Sequence, residues 1–149
     1  MKGIKISKAK IEDSQEIREL ETKVWDEECT NKYDIPMYIR FGYVYVAKEG
    51  NKIVGAICSY KTKENMVYVC DWFVDENYRG KDIGIKLYKK LISEVKVPIV
   101  NFLEENRIPT VNAHKKLGFK LWKRVKNAYG LDKGLKASER LLMIYRPKK

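Results

Sequence analysis

The sequence predicts an α/β fold: a mixed, mostly antiparallel sheet flanked by helices. Three observations lead there. Residues 66–95 read as one strand–turn–helix unit, MVYVCDWFV, then DENYRGKD, then IGIKLYKKLISEV. Two strands joined by hairpin chemistry precede that unit and pair with it. A short apolar run, VPIVNFL, follows the helix, and a strand–helix–strand connection of this length implies a right-handed crossover between parallel neighbours.

The elements follow in order. Gly3–Ser7 is a short strand. Asp13, with Glu16 three places on, has the pattern of a helix N-cap and its partner, and Ile17, Leu20, Val24 and Trp25 then give a helical stripe. Asp26–Asn31 breaks that stripe and is the most acidic loop of the chain; acid there suits a solvated connection or a pocket wall that attracts a cationic amine. Pro36 opens a short helix carrying Met37, Tyr38 and Phe41. Tyr43–Ala47 and Lys52–Tyr60 are strands joined at Glu49-Gly50-Asn51, and a second turn at Lys63–Asn65 leads into the central strand. Both faces of that strand are apolar except at Asp71, as for a strand covered on both sides. In the helix that follows, Ile83, Leu87 and Leu91 recur at helical spacing. Pro109 starts a brief helix, Thr110–Leu117, which Gly118 closes. Phe119–Lys126 and Arg140–Arg146 are the last strands, and the loop between them, Asn127–Glu139, reads as mobile.

Composition bounds the function. A chain of 149 residues, 44% hydrophobic, suits a single domain over 1–149. No apolar run is long enough to cross a membrane, and the first residues lack the apolar core of a secretory signal. Cys29, Cys58 and Cys70 are scattered, which points to a reducing cytoplasm and away from disulfides or a metal site. The formal net charge is +11. Its lysines and arginines run from Lys2 to Lys149 rather than forming one tail, as on a Lys-rich solvated surface. The charge suits an anionic cofactor, while the lack of helix-turn-helix, RNP or zinc-finger patterns disfavours nucleic acid.

The turn carries the chemistry. Arg79, Gly80, Lys81, Asp82, Ile83 and Gly84 fall where a helix begins, and unpaired N–H groups and the helix dipole there favour an anion such as a diphosphate. Gly80 permits a tight turn, and Arg79 and Lys81 add positive charge.

This strand–RGKDIG–helix unit, followed by EENRIPTVNAHKKLGF and preceded by KAKIEDSQEIREL, resembles the GNAT superfamily of acetyl-CoA-dependent N-acetyltransferases over nearly the whole chain. The resemblance implies that Arg79 and Gly84 fill the first and last places of the pyrophosphate motif, with Asp82 in place of a glycine; an Asp82 turned outward to cap the helix leaves the backbone donors free. It implies that backbone groups of Trp72, Phe73 and Val74 hold pantetheine where the central strand splays from its parallel neighbour. Asn106 corresponds to an Asn that contacts the cofactor. His114 stands where many members have a Tyr acting as acid toward the leaving thiolate, or it packs there without a proton role.

The implied reaction moves an acetyl group from acetyl-CoA, a co-substrate, to a primary amine by direct attack. A carboxylate can take the amine proton, and Asp71, then Glu104, are the candidates. The acceptor can be a small molecule or a protein, and a homodimer is left open. A non-catalytic module that binds CoA or a protein partner is the rival on the same fold.

Overall fold

The computed structural model describes residues 3–130 and 139–148. Most of the predicted loop between the last two strands, 131–138, lies outside the described residues. The elements run β1 (Ile4–Lys8), α1 (Ser14–Trp25), α2 (Asp34–Phe41), β2 (Tyr43–Glu49), β3 (Lys52–Lys61), β4 (Val67–Val74), α3 (Ile83–Glu94), β5 (Ile99–Leu103), α4 (Ile108–Leu117), β6 (Lys120–Val125) and β7 (Arg140–Tyr145). The strands form one sheet in the order β1-β2-β3-β4-β5-β7-β6, antiparallel except at β4–β5. The fold class and the parallel pairing of β4 with β5 are as the sequence predicts.

Helices cover both faces. Ile17, Leu20 and Ile35 from α1 and α2 pack on Val44, Val46, Ala56, Cys58 and Phe73. On the opposite face Ile83, Leu87, Tyr88 and Leu91 of α3 pack on Tyr45, Ile57, Val67 and Val69, with Trp72 and Val74 against them. The fully buried aliphatic side chains each contribute roughly 1.5–3 kcal/mol.

Strict alternation fails in the middle of β4. Opposite β3, Cys58 pairs with Asp71 but Ser59 pairs with Val69, so Cys70 is an extra residue in a β-bulge. Val67 and Val69 therefore face α3, while Cys70 and Phe73 face α1 and α2, and Trp72 and Val74 face α3 again. The bulge turns Asp71 toward α1.

The start of α1 also departs from expectation. A 3-10 turn, Ile11–Asp13, precedes it, and Asp13 accepts from the N–H of Lys10 (2.8 Å) rather than capping forward. Glu16 reaches across to the N–H of Ile53 on β3 (2.7 Å).

Charge is segregated, not spread as the cation distribution suggests. Residues 1–105 hold 18 Lys and Arg against 18 Asp and Glu, and residues 106–149 hold 13 against 2. The whole net charge falls on the part of the chain that builds α4, β6 and β7.

Candidate active site

β4 and β5 pair only at Val67 with Ile99 and Tyr68 with Val100, and then separate. Beyond that point they enclose a cleft of about 1050 Å³, closed at one end by the start of α3 and at the other by the start of α4. The edge of β4 that faces it is unpaired from Val69 to Val74. Asp75 donates its N–H to Val54 on the β3 side (2.8 Å), so alternation directs the N–H of Val74 toward the cleft. The N–H of Trp72 is taken by Asp71 Oδ1 (3.0 Å). Of the three residues expected to hold pantetheine, Trp72, Phe73 and Val74, all line the cleft.

The start of α3 forms the far wall. The first helical bond accepted there runs from the N–H of Lys86 to Asp82 O (3.0 Å), which leaves the N–H groups of Ile83, Gly84 and Ile85 without an intrahelical acceptor. Arg79, Gly80, Asp82, Ile83 and Gly84 all line the cleft. Gly80 has φ +82° and open space where a Cβ would sit. A Cβ on Gly84 would come within 2.8 Å of the Trp72 ring, whose indole N–H donates to Gly84 O (3.0 Å). Asp82 makes no capping hydrogen bond and takes φ +58°, a left-handed conformation that glycine adopts freely. It does not cap the helix as expected; it bears a left-handed backbone angle at the place where the motif has a glycine. Lys81 is outside the cleft lining and lies 5.3 Å from the Tyr78 ring. These free donors and the flanking Arg79 fit a diphosphate.

Asp71 is the charged residue that β4 brings to the cleft. Its Oδ1 accepts from Trp25 Nε1 (3.1 Å), while its Oδ2 is buried with no conventional donor. Glu21, fully buried on α1, is in the same condition: Oε1 accepts from the Thr30 hydroxyl (2.6 Å), and Oε2 has no donor. Burial, a hydrogen bond to Glu21 and its negative charge hold the Asp71 carboxyl far above the usual carboxylate range. No Lys or Arg forms an ion pair with either group among the described residues. Asp71 Oδ2 and Glu21 Oε2 are thus both buried without a donor, and burial beside a second carboxyl favours the protonated form of Asp71.

His114 lies in the core rather than on the cleft wall. Its Nε2 is 2.7 Å from Tyr88 Oη, and its Nδ1 is 2.8 Å from Thr110 O. Asn101 Nδ2 donates to Tyr88 Oη (2.9 Å). The Thr110 carbonyl requires Nδ1–H, so Nε2 accepts from the Tyr88 hydroxyl. Burial lowers the ring pKa to about 4, and the imidazole is neutral at physiological pH. Trp72, Tyr88 and Phe119 surround it edge-on.

Glu104 lines the cleft but is held by cations, with Arg140 at 3.2 Å and Arg107 at 3.7 Å. Asn106 is exposed and outside the lining. The acidic loop also stays out of this cleft, and Glu28 pairs with Arg18 (3.7 Å). The sequence reading missed Glu21, Asn101 and Arg107. Glu21 carried a signal, since it falls on the apolar stripe of Ile17, Leu20, Val24 and Trp25.

Residues 12–119 match the family model of the acetyltransferase (GNAT) family. The chain belongs to the GNAT acetyltransferase family. Solved structures with the same fold include yncA of Salmonella typhimurium, solved with its cofactor acetyl-CoA (TM-score 0.81, 18% identity, covering 99% of this chain and 95% of that one). The ribosomal-protein-S18-alanine N-acetyltransferase of Escherichia coli superposes with TM-score 0.81 at 14% identity, over 99% and 96% of the two chains. Arabidopsis thaliana Naa50, in complex with the bisubstrate analogue CoA-Ac-MVNAL, gives 0.76 at 19% identity, over 95% and 97%. No curated protein matches the sequence significantly. Acetyl-CoA is thus the co-substrate of this GNAT acetyltransferase, and the open β4 edge and the α3 N-terminus are the surfaces in this chain that fit it.

Proposed function

We propose that this chain acetylates a primary amine at the β4–β5 cleft, with the Asp71–Glu21 pair as the proton acceptor. The observation that carries this reading is Asp71 on the wall of the cleft that fits acetyl-CoA, interacting with the buried Glu21 and with one oxygen of each carboxyl left without a donor. The co-substrate supplies an acetyl thioester. The N–H groups at the start of α3 and Arg79 hold its diphosphate, and the Val74 N–H lies along the edge that orients its extended arm.

The pair carries one negative charge, which draws an ammonium group to the Trp25 end of the cleft. The bound ammonium first gives one proton to the carboxyl pair, which frees the nitrogen lone pair to attack the acetyl carbonyl carbon. The C–N bond forms, the nitrogen loses its second proton to solvent as the tetrahedral adduct collapses, the C–S bond breaks, and the thiolate leaves and gains a proton from solvent. Glu104, tied to two arginines, is a poorer base. His114 is proposed as a support, with Tyr88 and Asn101, for the wall beneath the thioester rather than as the acid.

Tyr68, Phe102 and Tyr129 form a row of edge-on rings along the cleft, at centroid separations of 6.2 and 5.7 Å. They suit an amine borne on an apolar chain. The protein acceptors named for the S18-alanine enzyme and in the Naa50 complex make a polypeptide amine a natural candidate.

The test couples binding to turnover. Acetyl-CoA should raise the melting temperature of wild type and of Asp71→Asn alike. A panel of amines should release CoA with wild type, and Asp71→Asn should lose about 100-fold in rate. Unchanged turnover in Asp71→Asn removes the carboxyl pair from the mechanism. No thermal shift and no CoA release supports the non-catalytic rival.

A further inference from the structure

The cleft leaves the most highly charged face of the molecule without a task. From Asn106 to Gly130 the sequence has no Asp or Glu and seven Lys and Arg. Some of these cations are committed: Arg124 pairs with Glu105 and Glu139, and Arg107 and Arg140 pair with Glu104. Lys115 and Lys116 at the end of α4, Lys120, Lys123 and Lys126 along and just past β6, and Arg146 after β7 are exposed and enter no ion pair among the described residues.

β6 is the outer strand of the sheet and is exposed along nearly its whole length. Between Leu121 and Lys123 its register against β7 shifts, so Trp122 is the extra residue of a bulge. Trp122 is 43% exposed, with Lys123 Nζ at 5.2 Å and Arg146 Cζ at 6.0 Å from its ring centroid. Lysines and a bulge also protect an edge strand from pairing with other chains. That accounts for charge on β6. It does not account for the single sign, the continuation onto α4, or a large aromatic ring presented among the cations.

We propose that the face built by the end of α4, β6 and the residues after β7 binds single-stranded nucleic acid, with Trp122 as the stacking platform. Unpaired lysines and an arginine around an exposed indole match what such a ligand offers: phosphates at short intervals and flat bases between them. A double helix fits less well, since its bases are already stacked and leave none free to stack on the indole. An acidic protein would satisfy the charge but gives the indole no partner in particular. The face is separate from acetyl transfer, because neither Trp122 nor any of the six unpaired cations lines the cleft.

The experiment is fluorescence anisotropy of labelled single-stranded RNA and DNA of one sequence, about 15 nucleotides long, with the matching duplex and poly-L-glutamate as competitors. At about 50 mM salt both single strands should bind in the micromolar range. Affinity should fall with salt at a log–log slope of about −0.7 per phosphate neutralised. Trp122→Ala should weaken binding about tenfold. Lys120→Glu with Lys123→Glu should abolish it, with the circular dichroism spectrum and CoA release of wild type. The tighter of the two single strands identifies the sugar recognised. Absence of binding at low salt overturns the proposal. So does poly-L-glutamate competing as well as the oligonucleotide with Trp122→Ala unchanged, which marks a site for an acidic protein.

Discussion

Glu21 and Asp71 show how much one residue's surroundings change its chemistry. Replacing Glu21 by Gln removes the negative neighbour and supplies a donor, so the Asp71 carboxyl should ionise at lower pH. With Glu21 replaced, Asp71 must carry the base alone, so the acid limb of the kcat–pH profile should shift, while Asp71→Asn should flatten the profile. A profile that Glu21→Gln leaves in place would show that Glu21 only fills space. The stability sign follows from the same pair. Folded Asp71 keeps its proton where the unfolded chain has released it, so its contribution is full at acid pH and is lost as pH rises toward its folded pKa. His114 has the opposite sign. Its folded pKa of about 4 lies below 6.5, so its contribution is full above pH 6.5 and drains away as pH falls toward 4, on the order of 3 kcal/mol in all. His114→Phe should cost about 1–3 kcal/mol at pH 7.5 by leaving the Tyr88 hydroxyl without its acceptor, and should remove that acid sensitivity in urea melts. A loss of turnover with stability intact would restore His114 as an acid.

At the scale of elements, the turn into α3 was legible because its chemistry is local. RGKDIG announces a helix start with donors and cations. What the sequence hid was Asp82's backbone: only the structure shows it bearing the left-handed angle of a glycine. Asp82→Gly should therefore bind acetyl-CoA more tightly by about fivefold, since a negative charge leaves the anion site. The melting temperature should change little, relief of the left-handed angle being offset by glycine's greater freedom when unfolded. A weaker affinity on calorimetric titration would show that Asp82 serves the turn. The β4 strand was legible as central but not in its facing. Alternation put Asp71 on the face of Val67 and Val69, and the extra residue at Cys70 reversed that. Such a bulge depends on pairing with β3, which no pattern within β4 records.

At the scale of the whole molecule, the order β2-β3-β4-β5 followed from two hairpins and one crossover, readable from turn residues and helix length, whereas the insertion of β7 between β5 and β6 was not readable. The carboxyl pair was not legible, because Glu21 and Asp71 lie fifty positions apart and come together only when α1 packs against β4. Charge segregation was present in the sequence throughout. It becomes visible when residues are counted by the part of the fold they build.

The narrow junction of Val67–Ile99 and Tyr68–Val100 divides the sheet into a neutral leaf, β1 to β4, and a cationic leaf, β5, β7 and β6. With so few bonds across it, each leaf should open to deuterium at its own rate. Acetyl-CoA should slow exchange in β4 and β5 together, whereas an oligonucleotide should protect β6 and the end of α4 and leave β4 unchanged.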